Sequence, residues 1–137
     1  MTPGEAEVAR AELDRAARAL HESKVLVDAS SAEGATSRLY YAVFHAARAA
    51  LAVRGLYAKT HSGQITLFER TFGEAPVLGR LFDLRAKADY GREQYAVSPE
   101  SLADAILEAE AFLERCRGIV AEALAEGPDE PDPPPDF

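Results

Sequence analysis

The segment from Arg38 to Arg48 holds four polar side chains whose types and spacing could do chemistry. Arg38, Tyr41, His45 and Arg48 lie three, four and three residues apart. At 100° per residue they share one narrow stripe of a helix, so two guanidiniums, a phenol and an imidazole line a single edge. Histidine ionises near about 6.5 and can give or take a proton at neutrality. An arginine one or two turns away can hold a phosphate through two parallel N–H bonds. The chemistry suggested is recognition of a phosphate, with proton transfer at His45. The competing reading is structural: a histidine beside a tyrosine in an alanine-rich helix is commonly a satisfied core or interface residue.

Two further groups extend this set. Leu78, Leu81 and Ala88 define the apolar side of a later helix, and Arg85 falls on that same side. Asp89 follows at the i,i+4 spacing of an ion pair, and Arg92 lies close to the stripe. A buried Arg–Asp pair is weak evidence for stability, because desolvation offsets the attraction. The pair either orients Arg85 toward a ligand or locks helix packing. The stretch Lys59-Thr60-His61-Ser62-Gly63 falls where another helix should begin. Backbone N–H groups there, with Lys59 and His61, suit an anion, although capping alone accounts for Thr60 and Ser62.

The elements that must position these residues read as helices throughout. Ala, Leu, Glu and Arg are abundant, and period-2 alternation is absent. Five helices are predicted. The first runs from about Pro3 to Val27 with Thr2 as N-cap, burying Val8, Leu13, Ala16, Ala17, Leu20 and Leu26. The second runs from about Glu33 to Arg54 and stops at Gly55. It is apolar nearly all round, which places it centrally or at an interface and makes its polar residues informative. The third, capped by Thr60 or Ser62, ends near Phe72. The fourth opens at Pro76 and continues to about Tyr90 or Tyr95. Ser98-Pro99 starts a fifth that reaches about Ala125. The expected domain is thus an all-α bundle spanning residues 1–125. Residues 126–137, with prolines at 128, 131, 133, 134 and 135, read as a disordered acidic tail.

Charge is unevenly distributed. The formal net charge is −8 at pH 7, yet residues 34–97 hold 9 basic and 5 acidic side chains, and residues 98–137 hold 2 and 11. An anionic partner would therefore be sought in the middle of the chain. With 137 residues the chain suits one domain. Its single cysteine, Cys116, excludes a disulfide framework and fits a reducing, cytoplasmic setting. No run of about 18 apolar residues is present, so no membrane span is expected, and from the acidic start no secretory signal is expected. His21, His45 and His61 lack metal-ligand spacing, no Glu-x-x-His occurs, and the glycines form no phosphate loop. No metal ion or cofactor is expected.

Three blocks in order carry a family resemblance: Ser37-Arg38-Leu39-Tyr40-Tyr41-Ala42-Val43-Phe44-His45-Ala46-Ala47, Lys59-Thr60-His61-Ser62-Gly63, and Arg85-Ala86-Lys87-Ala88-Asp89-Tyr90. Over roughly residues 8 to 120 the chain resembles the small stand-alone prokaryotic HEPN domains. The resemblance implies an up-and-down bundle of four to five helices, a homodimer, and a minimal nucleotidyltransferase partner in a toxin–antitoxin-like pair. It implies a nucleotide- or RNA-binding role for Arg38, Tyr41, His45, Lys59, His61, Arg85, Asp89 and Tyr90. Many members are metal-independent ribonucleases with an Arg-x(4–6)-His motif, in which the histidine moves a proton during 2′-hydroxyl attack and the arginine stabilises the phosphate. Here Arg38 and His45 satisfy the spacing. The family's usual motif, however, sits near Arg85, where Asp89-Tyr90 replaces the histidine. Three roles follow: an RNA- or nucleotide-binding module, a ribonuclease using Arg38 and His45, or a non-catalytic helical dimerisation adaptor.

Overall fold

A computed structural model describes residues 1–89, 97–127 and 133–136. Among these described residues there are five helices: α1 (Pro3–Asp28), α2 (Ala32–Ala52), α3 (His61–Phe72), α4 (Pro76–Asp89) and α5 (Pro99–Glu126). The described residues include no strand. The expected continuation of α4 past Asp89, Tyr90 and Arg92 with it, lies outside the described residues, as does half of the tail.

The helix starts follow from their caps. Thr2 accepts from the Glu5 amide while Glu5 accepts from the Thr2 amide, a reciprocal capping box ahead of Pro3. Thr60 accepts from the Gly63 amide at 2.9 Å and caps α3. Ser62 lies inside that helix instead, its carbonyl accepting from Thr66. Ser98 accepts from the Ser101 amide, and Pro99 opens α5.

Helix α2 is the central element and packs against all four others. Twelve of its 21 residues are buried, seven of them alanines, so neighbouring backbones approach closely. The α1–α2 seam is built the same way, from Ala6, Ala9, Ala16 and Ala19. This corrects the stripe expected for α1. Val8 is 49% exposed and Ala17 is exposed, because the helix turns its smallest side chains inward. The larger core residues, Leu39, Leu51, Phe68, Leu81 and Leu113, come from α2 to α5.

Polar ties set the orientation of the helices. Ser23 Oγ donates to the Ala35 carbonyl at 2.7 Å, joining α1 to α2. The buried Gln64 amide donates to the Phe44 carbonyl at 2.9 Å and fixes α3 against α2. The Arg115 guanidinium donates to the carbonyls of Phe72 and Glu74, satisfying acceptors left over at the end of α3.

Candidate functional site

The polar edge of α2 meets α4 around one ring. The Tyr41 ring has the Arg38 guanidinium carbon 4.9 Å from its centroid and that of Arg85 at 5.1 Å. The His45 imidazole lies 6.2 Å away with its plane tilted by 29°. Arg85 is shared, lying 5.1 Å from the Tyr40 ring as well. Among the described residues its buried Nε finds no hydrogen-bond partner; Asp89 Oδ2, 3.6 Å off, forms an ion pair with it at a distance too long for such a bond. Among the described residues this cation is thus held by two ring faces and one anion. Arg38 Nη1 is 3.8 Å from Glu22 Oε1, a half-exposed pair of small energetic weight.

A second line of contacts runs toward α3. The Tyr40 hydroxyl and His61 Nδ1 are 2.6 Å apart. Burial pushes the Tyr40 phenol up to about 12, against the opposing charge of Arg85 and with help from Tyr41. It keeps its proton at neutrality and can donate it to Nδ1. Burial, then the charges of Arg85 and Arg48, lower the pKa of His61. Both effects favour the neutral imidazole, and a Tyr40 donation to Nδ1 would place its own proton on Nε2. Its ring lies 4.5 Å from that of Phe44. The Arg48 guanidinium covers Phe44 at 5.6 Å and Tyr57 at 5.2 Å.

His45 has a partner on α1. Its Nδ1 is 2.6 Å from Glu12 Oε2, while Arg15 donates to Glu12 Oε1 at 2.8 Å. The Glu12 side chain is only 5% exposed. Burial alone would raise its pKa; the hydrogen bond and charge of His45, with Arg48 and Arg15, outweigh that and hold it below the ordinary carboxylate value. An ionised carboxylate can only accept, so Nδ1 carries a proton and donates it in this bond. A carboxylate that fixes a histidine's tautomer and ring plane is the arrangement a general base needs.

The structure thus joins Arg38, Tyr41, His45 and Arg85 through one ring, and His61 through Tyr40 and Phe44. Asp89 sits at the rim with its side chain 61% exposed. Lys59 is exposed on the connection two residues before His61. Tyr90 lies outside the described residues. Sequence reasoning missed Glu12, the Tyr40 hydroxyl and Tyr57. A signal for Glu12 existed: it falls three residues after Ala9 and four before Ala16, on the alanine face of α1. Among the described residues no group of three His, Cys, Asp or Glu could hold a metal ion, and no helix is long and apolar enough to cross a membrane.

With this geometry in place, comparison with known proteins defines the class. The family model described as "HEPN domain" matches residues 9–119. The chain belongs to the HEPN domain family. It is 31% identical to "Putative toxin MJ0605" of Methanocaldococcus jannaschii, over 77% of this chain and 83% of that protein. It is 32% identical to the UPF0332 protein glr0978 of Gloeobacter violaceus, over 92% of this chain and all of that protein. A UPF0332 protein of Thermotoga maritima is 30% identical over 79% of this chain and 87% of its own length. The family accounts for the five-helix bundle; the polar face is described by this chain's own residues.

Proposed function

We propose that the face formed by α2, α3 and α4 binds single-stranded RNA or a nucleotide, and that the protein works in a toxin-like role as a homodimer beside a nucleotidyltransferase partner. One observation carries the binding reading: three guanidiniums, those of Arg38, Arg48 and Arg85, each lie on rings of one continuous aromatic group. Guanidiniums held on ring faces keep their N–H edges for phosphate oxygens, and aromatic rings beside them suit unpaired bases. The family membership and the toxin named among the relatives support the role.

Fluorescence anisotropy with a short labelled RNA, over a series of salt concentrations, tests the binding. Arg38→Ala and Arg85→Ala should each weaken binding and reduce the salt slope by about 0.7, the value for one phosphate on a single strand. Salt-independent binding, or none, refutes it. Co-purification with a co-expressed nucleotidyltransferase and light scattering of the isolated chain test the partner and the homodimer.

The Glu12–His45 hydrogen bond favours a second reading, a metal-independent ribonuclease using Arg38 and His45. In that reaction His45 Nε2 takes the 2′-hydroxyl proton as the 2′-oxygen attacks phosphorus. The bond from phosphorus to the 5′-oxygen breaks, and that oxygen takes up a proton. The ends formed are a 2′,3′-cyclic phosphate and a 5′-hydroxyl. Arg38 and Arg85 balance charge on the phosphoryl oxygens. Cleavage in the presence of a chelator, lost in His45→Ala, supports this reading; cleavage retained in that variant removes His45 from the mechanism.

A further inference from the structure

We propose that the cavity between the first turn of α1 and the end of α2 is a base-binding subsite, taking one unpaired nucleobase of the RNA stacked on Tyr57. The proposal rests on the RNA-binding reading above and adds a place where the base, not the phosphate, is recognised.

The cavity measures about 420 Å³, within the range of about 300–1,000 Å³ typical of small-molecule sites. Val8, Ala52 and Leu56 give it apolar walls, and Arg48 and Tyr57 stand at its edge. Tyr57 is 68% exposed, a large ring presented to solvent with no core role. The Arg48 guanidinium lies 5.2 Å from that ring. The same guanidinium covers Phe44, whose ring is 5.4 Å from His45 and 4.5 Å from His61. Arg48 therefore links the cavity to the two histidines. A strand with a phosphate on Arg48 would bring an adjoining base to Tyr57, because every base offers a face for stacking.

The local backbone keeps this space open. Gly55, at φ +67°, lies in the left-handed region and lines the cavity. A Cβ there would stand 2.6 Å from Glu5 Oε2, whose partner oxygen accepts from the Thr2 amide. Any side chain at 55 would be strained at this φ and would force the Glu5 carboxylate to shift.

The test compares a single-stranded RNA with a strand of equal length carrying abasic ribose throughout, by anisotropy. Wild type should prefer the base-bearing strand. Tyr57→Ala should weaken that strand's binding by about 5-fold to about 150-fold, the range for loss of one stacked base. It should leave the abasic strand and the salt slope unchanged, and Tyr57→Phe should behave as wild type. A Tyr57→Ala protein that binds both strands as wild type does overturns the subsite while the RNA reading stands. An equal loss on both strands also overturns the subsite, since a base contact cannot weaken an abasic strand. Absence of salt-dependent binding by wild type overturns the RNA reading, and the subsite with it.

Discussion

Replacing His45 by alanine leaves the Glu12 carboxylate buried with a weaker set of partners, and the cost can be worked from the contacts. In the native protein Glu12 has His45 on one oxygen at 2.6 Å and Arg15 on the other at 2.8 Å. Removing a hydrogen-bond partner from a buried group costs about 1–3 kcal/mol, and more when that group is charged, as the Glu12 carboxylate is. Arg15 remains but is half exposed, and Arg48 still lends its charge. A cost of about 2–3 kcal/mol is therefore expected for His45→Ala, read by urea unfolding at pH 7. The pH dependence gives a second readout. In wild type the folded-state pKa of Glu12 is depressed, so its stabilisation is present above the ordinary carboxylate pKa of 4.5 and is lost as pH falls through the folded value. In His45→Ala the burial effect loses its main opponent, and the carboxyl gains more from taking up a proton. The stability gap between variant and wild type should accordingly narrow between pH 7 and pH 4. Glu12→Leu combined with His45→Leu should recover much of the loss, since apolar residues replace both partners. A cost below about 0.5 kcal/mol, or a gap that does not change with pH, refutes the argument that His45 holds a buried carboxylate.

Three more outcomes follow from named contacts. The His61 imidazole should titrate below 6.5 by NMR, and Arg85→Ala should move its midpoint upward, because a neighbouring cation is removed. Since the folded-state pKa of His61 is depressed, its effect on folding stability should grow less favourable as pH falls through about 6.5 toward the folded value, a trend that His61→Gln should remove. Thr60→Ala removes the cap of α3 and should cost about 1 kcal/mol by thermal or urea unfolding, with Thr60→Ser close to wild type. Phe68→Ala should cost about 3–5 kcal/mol, because the fully buried ring lies 5.0 Å from Phe72 and 5.2 Å from Phe112 and joins α3 to α5.

The number of helices and most of their ends were legible from caps and breakers. Ser98-Pro99, Thr60 and Thr2 each declare a helix start locally, without reference to the rest of the chain. The inward face of α1 was not legible, because hydrophobicity ranks valine above alanine while close helix packing favours the smaller side chain. The stripe of Arg38, Tyr41 and His45 could be read because all three sit on one helix, where spacing alone sets neighbourhood. Glu12 and Tyr40 could not be assigned roles in that way. Their partners are 33 and 21 residues away, and only the packing of α1 and α3 on α2 brings them together. Arg85 shows both cases: its spacing to Asp89 was visible, whereas its position over two α2 rings depends on how α4 docks.

The alanine-lined central helix has one further consequence. The helix that carries the ring-and-guanidinium edge is also the one flanked by the other four helices, with more than half of its residues buried. Its backbone can exchange with solvent chiefly by way of whole-molecule opening, not by fraying of a peripheral strand of chain. Whatever engages this edge meets a rigid mount, so recognition and global integrity are thermodynamically tied, and a ligand seated there would raise the melting temperature of the entire molecule rather than order one loop.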